Sequence, residues 1–150
     1  MELIDAVTDF SIEKDIVRPE YDVEFRISED REVFAWGRSL VPYQVYSSLC
    51  CVAYCNEIPI NMKQLTEYSI NHSPYRGDIA IAYTVWNCSD TKGSGRSLIL
   101  ALQKHFSSHA KVNRLGTLSP LTEMAKRFHL SNGAKLLSTN PESYNFEYAI

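Results

Sequence analysis

Two neighbouring stretches near the start of the chain, YDVEFRI at 21–27 and EVFAWGRSL at 32–40, alternate apolar and polar residues with the two-residue period of a half-buried strand. Their short polar connection predicts an antiparallel hairpin. Residues 1–20 mix apolar with acidic positions and stop at Pro19, which predicts a short helix or a loosely packed lead-in. From 45 to 55 the chain turns almost wholly apolar, as a strand covered on both faces does. Over 58–71, Met62, Leu65 and Ile70 fall at helical spacing among polar residues. A second apolar run, DIAIAYTVW at 78–86, predicts a central strand. Beyond the loop NCSDTKGSG, the spacing of Leu98, Leu102 and either Ala101 or His105 predicts a helix packed on a sheet. Residues 112–118 predict another strand, and Pro120 opens a helix of about two turns over 121–128, because the first helical position does not need the N–H that proline lacks. Asn132-Gly133 marks a turn before two short terminal strands, AKLLS at 134–138 and SYNFEYAI at 143–150.

That order predicts an α+β fold in which helices cover a mostly antiparallel sheet. No repeat, low-complexity tract or Gly/Ser linker divides the 150 residues, so one domain over 1–150 is expected. Charge narrows the classes of partner. A formal charge of -3 and a pI near 5.8 argue against a broad electrostatic footprint for nucleic acid and leave room only for a local basic patch. No run approaches the roughly eighteen apolar residues of a membrane span, and MELIDAVTDF is acidic where a secretory signal is basic. A cytoplasmic location with neither nucleic acid nor membrane as partner is therefore expected. Cys50, Cys51, Cys55 and Cys88 lack metal-ligand spacing and read as reduced thiols; His105 and His109 lack a third ligand. No metal is expected.

Two stretches carry candidate chemistry. The first, KGSGRS at 92–97, lies between the central strand and the amphipathic helix. Gly93 and Gly95 let backbone approach a ligand, the free N–H groups of a helix start attract anions, and Lys92 and Arg96 add positive charge. Lys92, Gly93, Ser94, Gly95 and Arg96 are thus either a phosphate cradle or a plain flexible turn. The spacing fits neither GxxxxGK[ST] nor GxGxxG; a single strand–loop–helix phosphate site suits coenzyme A. The second stretch is TLSPLTEMAKRFHLSNGA at 117–134. Ser119 and His129 in it are either a helix N-cap and a core histidine, or the polar pair of an active site.

The run from Trp86 through NCSDTKGSGRSLI, then TLSP at 117–120, FHLSNGA at 128–134 and the ending YNFEY resemble the catalytic domain of the malonyl-CoA decarboxylases, a branch of the GNAT superfamily of acyl-CoA-handling folds. The resemblance covers roughly residues 30–150. It implies a sheet whose central strands splay around the pantetheine arm, a coenzyme A thioester as substrate, and the pyrophosphate on the glycine loop. Ser119 and His129 map onto the family's proposed catalytic pair. Tyr148 maps onto a tyrosine of its closing NYRY motif, whereas the other tyrosine is Phe146 here. The family's large helical N-terminal domain has no counterpart in these residues, and the connection between TLSP and FHL is longer in the family. A straight helix over 122–129, at about 1.5 Å per residue, would carry His129 out of hydrogen-bond reach of Ser119, so a bend before His129 is expected.

The leading expectation is decarboxylation of a malonyl thioester, carried by coenzyme A or an acyl carrier protein, to an acetyl thioester. Two alternatives stand beside it. One is an N-acyltransferase acting on a small amine, with Glu57, Asp78 or His129 as base; the other is a non-catalytic acyl-CoA-binding domain.

Overall fold

The structure is a computed structural model that describes residues 1–5, 32–40, 43–70, 76–87 and 92–150. The expected strand at 21–27 lies outside them. Among the described residues an eight-stranded sheet carries three helices: β1 (Glu2–Ile4), β2 (Glu32–Leu40), β3 (Tyr43–Cys55), α1 (Met62–Tyr68), β4 (Ile79–Asn87), α2 (Ser94–Ser107), β5 (Arg114–Thr117), β6 (Ser119–Pro120), α3 (Glu123–Ser131), β7 (Lys135–Thr139) and β8 (Ser143–Tyr148). The strands run in the order β1-β2-β3-β4-β5-β8-β6, with β7 on the other side of β8. All pairings are antiparallel except β4 with β5. The α+β fold expected from the pattern, with helices on a mostly antiparallel sheet, is the one observed.

The unbroken apolar run of β3 follows from two-sided burial. Cys50, Val52 and Tyr54 pack with Leu98, Ile99, Leu102 and Phe106 of α2, while Leu49, Cys51, Ala53 and Cys55 face the side of Leu65 on α1. The side chains of Cys50, Cys51 and Cys55 are fully buried in this core. Burial pushes the Cys50 thiol well above its usual range, so it stays protonated and inert.

The helix start expected at Pro120 is displaced. Pro120 ends β6, where it pairs opposite Ser143, and Thr122 caps α3 by accepting the Ala125 N–H at 3.1 Å. Proline at the end of a two-residue strand has no ladder N–H to supply. Ser119 is therefore not the helix cap.

Two features open the sheet beside α3. Cys51 opposes Thr84 and Val52 opposes Ala82, so Tyr83 is an extra residue that bulges β4. The parallel ladder to β5 runs from Ile79↔Arg114 to Ala82↔Thr117 and closes with the Leu118 N–H on the Ala82 carbonyl at 3.1 Å. Among the described residues the ladder on that side of β4 ends at Ala82, because the chain from Ser119 to Pro120 follows β8 instead.

Asn145 holds that second path in place. Fully buried, its Nδ2 donates to the carbonyls of Pro59 at 2.8 Å and Thr117 at 2.9 Å. Its Oδ1 accepts from Ser138 Oγ at 2.9 Å and Asn140 Nδ2 at 2.8 Å. Both protons and both lone pairs of the amide are used. Asn145→Leu keeps the volume but strands two buried carbonyls and two donors. It should lower unfolding free energy by about 3 kcal/mol, read as a fall in the urea midpoint; a midpoint within error of the unaltered protein would refute the role.

Candidate functional site

The parted strands and α3 enclose a cavity of ≈ 280 Å³. Its walls are Thr84, Val85 and Asn87 of β4, Gly95 at the start of α2, Leu118 and Ser119, and Ala125, Phe128 and His129 of α3. Helical spacing explains the α3 face, since 124, 125, 128 and 129 share one side of the helix.

His129 is buried with its ring stacked on Phe146 at 4.9 Å and edge-on to Phe128 at 5.0 Å. Burial among these rings lowers its pKa from 6.5 to about 4, so the imidazole is neutral near pH 7. Its Nδ1 lies 2.7 Å from the Tyr148 hydroxyl. Burial pushes that phenol well above its usual range, so it keeps its proton. The Asn132 side chain is the phenol's other hydrogen-bonding neighbour; with Tyr148 donating to Nδ1, the imidazole proton sits on Nε2. Tyr148 thus stands behind the histidine rather than on the cavity wall.

Ser119 reaches the wall from β6, with its Oγ 2.8 Å from Thr117 Oγ1. The Ser119 hydroxyl is thus a polar point on that wall, with Thr117 behind it. Helix α3 runs unbroken through His129 to Ser131, so the bend expected before His129 is absent. Ser119 and His129 border one cavity, yet each bonds a different partner, Thr117 or Tyr148.

At the other end of the cavity, Gly93 caps α2 with φ +84°, the left-handed region that favours glycine. The first helical amide bond of α2 is Ser97 N–H to the Gly93 carbonyl at 3.0 Å, so the amides of Ser94, Gly95 and Arg96 have no helical acceptor. Ser94 is anchored: Ser48 Oγ donates to its carbonyl at 2.9 Å, and its hydroxyl donates to Asn87 Oδ1 at 3.2 Å. A Cβ on Gly95 would come 3.3 Å from Asn87 Oδ1 and 3.6 Å from the Phe128 ring, so glycine keeps this corner open. Of the five loop residues singled out in the sequence, Gly95 is on the wall; Lys92 and Arg96 are exposed beside it.

Among the described residues, no Asp, Glu, Lys or Arg lines the cavity. Glu57 and Asp78 are exposed, and Asp78 accepts from Asn113 Nδ2 at 3.1 Å. Among the described residues no group of three or more His, Cys, Asp or Glu is placed to hold a metal ion, and no helix is long and apolar enough to cross a membrane. Phe128, Thr117, Asn145 and Phe146 build the site without having been singled out for it. The signals were a fully polar Asn inside the apolar YNFEY run and a second hydroxyl two residues before Ser119.

No family model matches the chain, and no curated protein matches it. Solved structures do. The malonyl-CoA decarboxylase of Cupriavidus metallidurans superposes with TM-score 0.60 at 16% identity, over 99% of this chain and 60% of its own. AtaTR bound with AcCoA gives 0.57 at 15%, over 97% and 94%. The loading GNATL domain of CurA from Lyngbya majuscula gives 0.55 at 12%, over 83% and 78%. The chain therefore spans 60% of the length of the decarboxylase it resembles. At such identities the likeness is one of fold, and the fold is GNAT-like.

The neutral imidazole has a consequence for stability. Between pH 6.5 and about 4 the unfolded histidine binds a proton that the folded one does not, so stability falls as pH falls through that window. From pH 7 to pH 5 the loss from this one group is about 2 kcal/mol. His129→Gln should flatten that part of the pH dependence in urea titrations, and an unchanged slope would show that His129 is not neutral in the fold.

Proposed function

We propose that the cavity takes the acyl end of a coenzyme A thioester and that the protein decarboxylates a malonyl thioester to the acetyl thioester. One observation supports this reading: the polar groups on the wall are neutral hydrogen-bonding groups, with a histidine held uncharged by burial and, among the described residues, no carboxylate or ammonium on that wall. Loss of carbon dioxide needs little more. The bond from the methylene to the carboxylate breaks, its electron pair moves into the thioester carbonyl, and the enolate oxygen needs donors. His129 Nε2–H and the Ser119 hydroxyl are two such donors, and the buried Thr84 hydroxyl lies on the same wall. The methylene carbon then takes a proton from water, and the product leaves as the acetyl thioester. An apolar floor also disfavours the charged carboxylate relative to neutral carbon dioxide.

The remainder of the ligand suits the rest of the cavity. The unladdered edge of β4 beyond Ala82 offers backbone groups to the amides of a pantetheine arm. Phosphates suit the free amides of Ser94, Gly95 and Arg96, with Lys92 and Arg96 as counter-charges. An acyl carrier protein presents the same arm, so it is the alternative carrier. Tyr148 acts through the imidazole, fixing which nitrogen faces the substrate.

N-acyl transfer to a small amine is the second reading, supported by the fit to AtaTR over nearly its whole length. It needs a base. Glu57 and Asp78 do not reach the cavity, which leaves His129, and an imidazole with a pKa of about 4 is a weak base for an ammonium ion. Binding of acyl-CoA without chemistry is the third.

Mass analysis of the pure protein mixed with malonyl-CoA, with and without small amines, separates the three. Acetyl-CoA and carbon dioxide in the absence of any amine are expected; an amide formed only when amine is added supports transfer, and recovery of intact malonyl-CoA despite binding supports the third. His129→Ala and Ser119→Ala should each lower the decarboxylation rate on the order of 100-fold, as loss of one oxyanion donor does. Unchanged carbon dioxide release in His129→Ala would falsify the role of that residue.

A further inference from the structure

Thr117 does not line the cavity, yet its hydroxyl touches the one serine that does. It is 1% exposed, and its Oγ1 has two neighbours: the Phe146 N–H, which donates to it at 3.1 Å, and Ser119 Oγ at 2.8 Å. An amide N–H can only donate, so Thr117 Oγ1 accepts on that side. Its own proton must then find an acceptor, and among the described residues the acceptor within reach is Ser119 Oγ. The reverse polarity would leave the Thr117 proton buried with no acceptor, a state that costs about 1–3 kcal/mol. Ser119 has no such constraint, because its proton faces the cavity.

The chain of bonds is therefore directional. It runs from the Phe146 amide to Thr117, from Thr117 to Ser119, and from Ser119 into the cavity. Thr117 is held rigidly for this task, since its carbonyl is gripped by Asn145 Nδ2 at 2.9 Å. His129 Nδ1, engaged by Tyr148, is not a base for Ser119.

We infer that Thr117 is a positioning residue that fixes Ser119 as a hydrogen-bond donor, so that Ser119 binds an acceptor oxygen of the ligand and never becomes an acylated nucleophile. The inference rests on the thioester reading of the cavity and names what that ligand must offer there: a carbonyl or carboxylate oxygen.

The test is a double-variant cycle read by calorimetry with a malonyl-CoA analogue in which a methylene replaces the thioester sulfur. Thr117→Val and Ser119→Ala should each weaken binding about tenfold. Thr117→Ser should restore it. Because Thr117 acts through Ser119, adding Thr117→Val to Ser119→Ala should cost nothing further. A further loss in that background would mean that Thr117 merely supports the strand, and binding unchanged in Thr117→Val would also overturn the inference. Failure of the unaltered protein to bind the analogue would overturn the thioester reading itself. Should the valine variant not fold, the unaltered protein still gives an answer: Ser119 should resist a fluorophosphonate reagent, and a labelled Ser119 in the mass spectrum would sink the donor assignment.

Discussion

A parallel ladder that pairs Ile79 through Ala82 with Arg114 through Thr117 and then stops parts two strands inside a sheet. Such an edge is costly unless something covers or fills it. Here the parting is held from both sides. The extra residue at Tyr83 bulges β4 on one side, while β8 binds first β5 and then β6 on the other. The Leu118 amide still reaches the Ala82 carbonyl, so the strands diverge at a defined point. Asn145 ties the diverging segment, at the Thr117 carbonyl, to the carbonyl of Pro59 ahead of α1. Remove the divergence and Ser119 has no cavity to face.

The chemistry of the floor follows from that geometry. A gap roofed by Phe128 and backed by Phe146 excludes water from the imidazole, which is the cause of its lowered pKa. In so dry a setting a neutral donor stabilises developing charge more strongly than it would in water. Two donors are each held by a buried hydroxyl: Tyr148 behind His129 and Thr117 beside Ser119. Neither donor depends on the other, which explains how the two can serve one cavity without touching.

Much of this architecture was legible in the sequence, and the failures have physical reasons. The strands at 45–55 and 78–86 and the helix after the glycine loop appeared where two-sided burial and helical periodicity placed them. Helix α3 began later than expected because Pro120 was read for its missing N–H alone, although a strand end accommodates that lack equally well. The bend before His129 was expected because reach was measured along a helix axis; a cavity lets two groups converge on a third body without reaching one another. The supporting hydroxyls escaped notice because Thr117 and Asn145 lie inside strands, where alternation reports which face is buried but says nothing about polar partners across strands.

The two ends of the cavity differ in electrical character, and that difference orients whatever enters. Among the described residues its floor bears no charge. Its end at the start of α2 offers amides with no intrahelical acceptor, the positive end of a 14-residue helix dipole, and the exposed cations Lys92 and Arg96. On the proposed reading the phosphates of the ligand stay at that mouth, and its acyl head lies against Ser119 and His129. On the proposed reading, orientation and catalysis share one cause: the same exclusion of water that keeps His129 neutral keeps the phosphates at the mouth.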